Sequence, residues 1–249
     1  MPGTSSRLVD DRAAKGRSGE TTVTGPDGQT ATPGGERLVA AFDFDGTITR
    51  EDTFRLFLNR IGTRRALAGS FLRRSPQMLS ALRGGERRDH AKKLLCHDML
   101  EGLTSEFADS VASDTAREVS GSLIRTDTAA RIRWHQARGH RIVVVSASFD
   151  AYVRPVVAEL GIDEVIATRW EVDPATALLT GRLDGRNVRG DAKVDLLDTH
   201  LGEANTIEYA YGNSGGDKAM LARSRYPVWV GRRPMPEVAA DPPAGGFLR

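Results

Sequence analysis

Two aspartates just after an apolar run could carry out acid–base catalysis or bind a metal ion. Asp43 and Asp45 stand two positions apart after the run Leu38–Phe42. Residues i and i+2 of an extended chain point to the same side, so both carboxylates can reach one site unless the chain turns between them. Close carboxylates repel each other unless a cation or a shared proton lies between them. Mg²⁺ suits such a site, because it prefers oxygen ligands and pairs with phosphate.

The same two carboxylates could divide the work of a covalent phosphoryl transfer. One carboxylate can attack phosphorus and form an acyl phosphate. The other can protonate the leaving oxygen and later deprotonate the hydrolytic water. The alternative interpretation is a helix cap within a turn, for which Gly46 supplies the backbone freedom. An isolated Asp-x-Asp pair favours this alternative, so the other polar segments of the chain must decide between the two.

Two further apolar runs also end in small or polar residues. One is followed by Ser146, Ala147 and Ser148, and the other by the segment 212–217, which reads Gly-Asn-Ser-Gly-Gly-Asp. Ligands of parallel α/β sheets bind at the carboxyl ends of the strands. We therefore expect these two strand ends to converge with Asp43 on one site.

The sequence predicts short apolar strands, separated by helices, that hold these residues at the site. Runs rich in β-branched residues suit a parallel sheet that is covered on both faces. Such runs occupy Leu38–Phe42, Arg141–Val145, Ile207–Tyr211 and Pro227–Val230. Trp170–Val172 and Leu178–Leu183, which flank an Asp-Pro pair, predict an additional β-hairpin. The alternation of strands and helices predicts an α/β fold with a Rossmann-like parallel sheet and helices on both faces.

Three segments differ from this alternating pattern. Residues 52–128 have apolar residues at helical spacing and no strand signal, which predicts an all-helical insert after the first strand. Residues 1–36 contain too few large apolar side chains to offset the entropy of ordering, so a disordered N-terminal tail is expected. Residues 234–249 are rich in proline and glycine and predict a loosely attached C-terminal tail.

The composition excludes several classes of protein. The formal net charge is +2 and the basic residues are spread along the 249-residue chain, so no nucleic-acid partner is expected. The single cysteine, Cys96, excludes an internal disulfide and lies in an apolar helical pattern, which predicts a buried thiol. No apolar run approaches the roughly 20 residues of a membrane helix, and no signal peptide is evident. We therefore expect no stable membrane insertion and a cytoplasmic location.

The polar segments, taken in order, resemble the four motifs of the haloacid dehalogenase superfamily. The closest similarity is to the subfamily that includes phosphoserine phosphatases. Asp43–Thr47 is similar to the first motif and Ser146 to the second. Lys193 is similar to the third motif, and 212–217 to the fourth. The resemblance covers roughly residues 37–232, and it implies a core of 37–51 and 129–233 with a helical cap of 52–128.

This resemblance also implies a role for each motif residue. Asp43 would be the nucleophile and a magnesium ligand, and Asp45 the general acid/base and a ligand through its carbonyl. Lys193 would neutralise charge between carboxylate and phosphate. The residues expected to bind phosphate are Thr47, Ser146, Ala147 and Lys193. The expected metal ligands are Asp43, Asp45, Asn213 and Asp217, and the family usually has Asp at the position of Asn213, so weaker metal binding is expected.

These roles predict a magnesium-dependent phosphomonoester hydrolase that acts on a small phosphorylated metabolite resembling phosphoserine. Three alternatives stay open at this point. The chain could be a phosphatase of a phospholipid head group such as phosphatidylglycerophosphate, a phosphotransferase, or a weakly catalytic phosphate-binding protein with a decayed metal site. Side chains of the cap are the candidates for contacting the leaving group: Glu51, Asp52, Arg55, Arg88 and Lys92. The sequence does not determine the oligomeric state.

Overall fold

The computed structural model describes residues 38–62, 85–202 and 206–235, with only the backbone of residues 85–91 and 93. The predicted N-terminal tail lies outside these ranges, as does the predicted C-terminal tail from residue 236 onward. The described residues contain six strands: β1 (Val39–Phe42), β2 (Arg141–Phe149), β3 (Glu164–Val172), β4 (Leu179–Asp184), β5 (Ile207–Gly212) and β6 (Tyr226–Trp229).

All six strands belong to one sheet in the order β4-β3-β2-β1-β5-β6. Five of them run parallel, and β4 is antiparallel to β3. The predicted α/β sheet is therefore confirmed, as is the hairpin, which adds β4 to the same sheet. Strand β1 lies between β2 and β5, so Phe42 is paired with Val144 on one side and Tyr211 on the other. The tip of β1 is thus at the centre of the sheet edge.

The helices of the described residues follow the strands in the expected alternation. They are α1 (Thr53–Ile61), α2 (Gly85–Leu100), α3 (Ser105–Glu118), a π-helix (Val119–Leu123), α4 (Thr126–Ala137), α5 (Asp150–Ala158), α6 (Asp191–Leu201) and α7 (Lys218–Arg223). In the described residues between β1 and β2, regular structure is helical, and Thr49 and Thr104 form only isolated bridges. The described part of the insert is consistent with the predicted all-helical character, and its role as a cap stays a prediction.

Two hydrophobic clusters form the core, one on each face of the sheet. On one face Ala40 and Phe42 pack with residues of the insert and of α5, including Phe57 and Tyr152. On the other face Val39 and Ala41 pack with residues of α6 and α7, namely Leu197, Leu201, Met220 and Leu221. Alternate residues of β1 thus face opposite layers, as in a strand that is buried on both sides. Cys96 is fully buried in the first cluster, which confirms the predicted core thiol.

Two parts of the sheet differ from the prediction. Strand β3 begins at Glu164, whereas the pattern indicated a strand only over Trp170–Val172, because the apolar run in its first half is only three residues long and follows the charged Glu164. Strand β2 continues to Phe149 and does not end at Val145. Its pairing with β3 shifts beyond Ser146, so the strand bulges at Ala147 and Ser148. Bulges of this kind redirect side chains at the edges of sheets.

Within the described ranges, no helix combines the length and the apolar character needed to cross a membrane.

Candidate active site

The first motif forms a tight turn at the tip of β1. The N–H of Asp43 still donates to Tyr211 O (2.9 Å), which extends the pairing with β5 by one residue. The N–H groups of Thr47 and Ile48 then donate to Phe44 O (3.2 and 2.8 Å) and close the turn. Asp43 is therefore fixed at the strand end and is only 6% exposed. The chain turns after Phe44, so Asp45 is placed by the turn and not by strand geometry.

Lys193 joins Asp43 to Asp217 in a buried ion cluster. Its Nζ lies 2.5 Å from Asp43 Oδ1 and 2.7 Å from Asp217 Oδ1, and it also donates to Val145 O at 2.7 Å. Lys193 is 1% exposed and comes from the first turn of α6, which begins after Gly190. The cluster thus links the tips of β1, β2 and β5 through one ammonium group, and the predicted convergence of the strand ends is observed.

The charges of this cluster are adjusted by burial and by each other. Burial raises the pKa of Asp43 to about 7, although the Lys193 charge opposes this shift. Burial by itself would lower the pKa of Lys193, but the Asp43 and Asp217 carboxylates outweigh it and raise that pKa. Burial would likewise raise the pKa of Asp217, yet Lys193 and the hydrogen bonds from Ser214 hold it below its usual value. These shifts favour the charged form of Lys193 and the ionised form of Asp217, which form an ion pair.

Asp217 also organises the loop of the fourth motif. Its Oδ2 accepts hydrogen bonds from Ser214 N and Ser214 Oγ (both 2.8 Å) and from Asn213 N at 3.2 Å. Both oxygens of this carboxylate therefore have donors from the protein. Asp217 as a metal ligand remains a prediction, whereas its contacts with the loop and with Lys193 are direct.

Asp45 is held by Thr53 and Ser148; the sequence placed Ser148 at a predicted strand end of the site but indicated a role for neither residue. Its Oδ1 accepts from Thr53 N (2.7 Å) and Thr53 Oγ1 (2.6 Å), and Ser148 Oγ donates to its Oδ2. Burial raises the pKa of Asp45, and the nearby charge of Asp52 adds to the rise. Thr53 begins α1 and Ser148 lies in the bulge of β2, so the insert and the sheet both orient this carboxylate. A threonine at a helix start after an acidic residue was the available signal for Thr53.

Of three residues predicted to bind phosphate, Thr47, Ser146 and Ala147, only Ala147 lines the cavity. Thr47 Oγ1 donates to Asp43 Oδ2 at 3.0 Å, and Ser146 Oγ accepts from Ser148 N at 3.0 Å. Both side chains are fully buried, and neither lines the cavity above the site, whereas Ala147 does. In this arrangement Thr47 and Ser146 support the residues beside them, and their contact with phosphate remains a prediction.

A cavity of about 550 Å³ opens over the ion cluster. Of the cap candidates, Glu51, Asp52 and Lys92 line it and Arg55 does not, while the side chain of Arg88 lies outside the described residues. The cavity walls also contain Gly46, Ser148 and Ser214, which lie in the predicted motif segments but were given no role at the site. Four further residues of the walls were not predicted from the sequence: Arg50, Phe54, Asn187 and Arg189. Phe54 belongs to α1, and the other three lie in loops whose course depends on the fold.

One unpartnered oxygen indicates that the site could hold a magnesium ion. Asn213 lines the cavity, and its amide oxygen Oδ1 is buried without a hydrogen-bond partner in the described part of the chain. A buried acceptor without a partner costs free energy that a cation would recover. Among the described side chains, no group of three His, Cys, Asp or Glu is placed to hold a metal ion. Both oxygens of Asp217 already accept hydrogen bonds from the protein, so the ligands would be oxygens of Asp43, the Asp45 carbonyl and Asn213. Neutral and anionic oxygens of this kind are suitable for Mg²⁺.

Gly46 permits the close approach of Asn213 to the turn. Its φ of 75° is in the left-handed region, and a Cβ at this position would lie 1.9 Å from Asn213 Nδ2. The first and fourth motifs therefore meet at a point where a side chain larger than that of glycine would displace the Asn213 amide.

Known proteins are similar to this chain in sequence and in fold. A family model described as haloacid dehalogenase-like hydrolase matches residues 40–222. Protein CicA of Caulobacter vibrioides is 35% identical over 210 residues, which cover 84% of this chain and 90% of that protein. The protein named "Probable phosphatase Rv3661" of Mycobacterium tuberculosis is 28% identical over 76% of this chain and 69% of its own length.

Solved structures agree with this fold at lower identity. A protein of unknown function from Bordetella pertussis Tohama I superposes with a TM-score of 0.66 at 22% identity, over 78% of this chain and 90% of that one. A phospho-aspartyl intermediate analogue of phosphoserine phosphatase superposes with a TM-score of 0.58 at 21% identity, over 78% and 86%. The family match over most of the chain, together with the CicA similarity, shows that the protein belongs to the haloacid dehalogenase-like hydrolases, with a fold like that of phosphoserine phosphatase.

Proposed function

We propose that the protein is a magnesium-dependent phosphomonoester hydrolase that forms an aspartyl-phosphate on Asp43. The observation that carries the proposal is the buried Asp43–Lys193–Asp217 cluster at the base of an open cavity, with Asp45 on the wall of the same cavity. Phosphoryl transfer requires positioning and charge neutralisation above all. The resemblance to proteins whose names include phosphatase supports the same assignment.

In the first half-reaction, a carboxylate oxygen of Asp43 forms a bond to phosphorus while the bond between phosphorus and the leaving oxygen breaks. Asp45, in its protonated form, gives its proton to that leaving oxygen. Burial, which raises the pKa of Asp45, favours the protonated form that this step needs. Lys193 stays charged beside Asp43 and stabilises negative charge that develops near the nucleophile.

In the second half-reaction, water attacks the phosphorus of the acyl phosphate and the bond to Asp43 breaks. The ionised Asp45 takes the proton of that water, and inorganic phosphate leaves. Thr53 and Ser148, which hydrogen-bond the carboxylate of Asp45, hold it in one orientation for both transfers. Asp43, the Asp45 carbonyl and Asn213 would hold Mg²⁺, which when bound supplies positive charge to the phosphoryl oxygens.

The substrate that we propose is a small phosphorylated metabolite of the phosphoserine kind. The cavity volume lies within the range of roughly 300–1,000 Å³ that is usual for small-molecule sites. The same cluster could pass the phosphoryl group to an acceptor other than water, and the described residues contain no observation that favours this. A decayed site is disfavoured because Asp43, Asp45 and Lys193 are all present and in place.

A panel of phosphomonoesters, tested with Mg²⁺ and with a chelator, examines this proposal. We expect release of inorganic phosphate that requires Mg²⁺ and is inhibited by beryllium fluoride or aluminium fluoride, which mimic a phosphoryl group on a carboxylate. Asp43→Asn removes the nucleophile and should abolish turnover, while circular dichroism should show that the fold is retained. Full activity of a folded Asp43→Asn protein would exclude the covalent mechanism.

A further inference from the structure

Two arginines on the cavity wall, Arg50 and Arg189, form no ion pair with a carboxylate among the described side chains. Arg50 is exposed to water, so of the two it is Arg189 whose charge is partly removed from solvent. Lys193 is neutralised by two carboxylates. Lys92 donates to Ala147 O and to Asn187 Oδ1, the latter at 2.9 Å. The guanidinium of Arg189 also belongs to the cavity wall and is half-buried, yet among the described side chains no carboxylate forms an ion pair with it. Its charge therefore faces the cavity without a counter-ion from those residues.

The backbone holds Arg189 in place on this wall. Arg189 N donates to Asn187 O at 2.8 Å, and the next residue, Gly190, donates to Gly216 O at 3.0 Å. The side chain lies flat against Gly216, since a Cβ added there would be 2.8 Å from Nη1 and 3.1 Å from Cγ of Arg189. The loop before α6 thus presents the guanidinium of Arg189 beside Gly216, in a cavity that Ser214 and Asn213 also line.

Arg186, in the same loop, differs from Arg189 because it forms an ion pair within the protein. Arg186 is exposed and pairs with Asp195 at 2.7 Å. Arg189, three residues later, points to the cavity and lacks such a partner among the described residues. A half-buried guanidinium has lost part of its hydration, and a planar anion with two oxygens restores its hydrogen bonds best.

We propose that Arg189 binds a second anionic group, a carboxylate or a phosphate, on the part of the substrate that leaves. This inference rests on the proposed phosphatase function and adds the class of substrate. The phosphoryl group itself belongs with Asp43 and Lys193, and Arg189 shares no hydrogen bond with either of them. The cavity of about 550 Å³ has room for a leaving group beyond the phosphoryl position.

The acidic residues on the same cavity favour one placement of that group. Glu51 and Asp52 line the side that leads into α1, where Asp52 caps the helix by accepting from Arg55 N. An anion placed there would be repelled. The anionic end of the substrate is therefore expected at the wall formed by Arg189 and the loop of the fourth motif.

Pairs of substrates that differ in one anionic group test the inference. For a carboxylate the pair is 3-phosphoglycerate and glycerol 3-phosphate, and for a phosphate it is fructose 1,6-bisphosphate and fructose 6-phosphate. We expect Arg189→Gln to lower kcat/KM for the anionic member of at least one pair by roughly 10- to 100-fold, the usual effect of a lost charged hydrogen bond, and for the other member by less than about threefold. Arg189→Lys, which keeps the charge without the planar fork, should fall between the two.

Two controls separate this effect from general disturbance of the loop. Arg186→Gln removes a charge from the same loop outside the cavity and should leave both members of each pair unchanged. As a further test, Gly216→Ala should displace the Arg189 guanidinium and shift the ratio of kcat/KM between the two members of a pair in the same direction as Arg189→Gln. Its own control is Gly215→Ala, which adds a methyl group into open space and should leave that ratio unchanged.

The outcomes distinguish this inference from the proposed function. An equal loss for both members of every pair, or no loss for any, would overturn the role of Arg189 while leaving the phosphatase assignment intact. If the wild-type protein hydrolyses none of the four compounds, calorimetric binding to the Asp43→Asn protein takes the place of kinetics. Tighter binding of the anionic member that depends on Arg189 would still support the inference, and equal binding of both members would reject it.

Discussion

At the scale of single residues, Asn213 is the feature that departs from the usual motif of the family. Its amide oxygen is buried without a hydrogen-bond partner in the described residues, which is consistent with a role as metal ligand. An amide brings no charge to the ion, whereas a carboxylate would attract Mg²⁺ strongly even after screening. The opposing effect is repulsion among carboxylates, because Asp43, Asp45 and Asp217 line the same cavity.

Asn213→Asp is therefore expected to lower the Mg²⁺ concentration that gives half-maximal activity by about tenfold, or about 1.4 kcal/mol. A magnesium titration at saturating substrate measures this change. Asn187→Asp adds the same charge to another part of the cavity wall and should shift the requirement by less than about threefold. An unchanged or higher requirement in Asn213→Asp would show that this residue does not ligate the metal.

Gly46 allows a second prediction at this scale, with a matched control. Gly46→Ala would strain a backbone with φ of 75° and would force the Asn213 amide away from the turn. Gly102→Ala meets the same strain at φ of 77°, but nothing lies within 4 Å of its added Cβ. The strain should cost about 1 kcal/mol in both variants, measured by urea unfolding. Only Gly46→Ala should lose more free energy of unfolding than this and also require more Mg²⁺ for half-maximal activity. An identical loss of stability in Gly46→Ala and Gly102→Ala would contradict the proposed contact between Gly46 and Asn213.

At the scale of elements, α4 and β5 are joined through a buried histidine. His135 Nε2 lies 2.9 Å from the hydroxyl of Tyr211, and its Nδ1 lies 2.7 Å from the Nδ1 of His140. Arg131 Nη1 also donates to the Tyr211 hydroxyl, at 3.2 Å. Burial lowers the pKa of His135 to about 2, and the charges of His140, Arg131 and Arg138 add to the shift. The histidine is therefore neutral in the folded protein at all ordinary pH values.

This depressed pKa predicts a loss of stability in acid. Below the unfolded pKa of about 6.5, the unfolded chain binds a proton that folded His135 cannot bind, so the free energy of unfolding falls as the pH falls. At pH 5 the loss from this group should be about 2 kcal/mol relative to pH 8. His135→Phe should remove that part of the slope in urea unfolding between pH 8 and 5. His97→Gln, at an exposed position of α2, should retain it, and an unchanged slope in His135→Phe would reject the prediction.

The elements also show which features the sequence could and could not predict. Strands that are largely apolar, such as β1 and, apart from Glu208, β5, were predictable because burial on both faces requires such runs. The first half of β3 was not, because it begins with the charged Glu164, which pairs with Arg141 and His200, and continues with only three apolar residues. The bulge after Ser146 depends on the register between β2 and β3, which no periodicity encodes. The motif residues of the site were predictable, whereas Thr53 and Arg189 reach it only through the fold.

At the scale of the whole molecule, the composition of residues 1–36 predicts that activity does not depend on them. We expect deletion of residues 1–34 to change the melting temperature and the phosphatase activity little, because that segment has few large apolar residues to contribute to a core. Differential scanning calorimetry and steady-state kinetics of the shortened and full chains measure the effect. A fall of several degrees in the melting temperature would show that the segment packs against the rest of the protein.

The helical insert leaves and re-enters the core at neighbouring points. Arg50 N donates to Leu123 O at 2.8 Å, and Arg125 N donates to Ile48 O at 2.9 Å. Asp43, Lys193 and Asp217 all lie outside residues 51–124, whereas Glu51, Asp52 and Lys92 lie within them. An exchange of that segment for another with similarly spaced ends would leave every strand of the sheet continuous. Insertions, losses and substitutions between these two junctions can therefore change the walls of the cavity without altering Asp43, Lys193 or Asp217, as long as a residue in the place of Thr53 continues to hold Asp45.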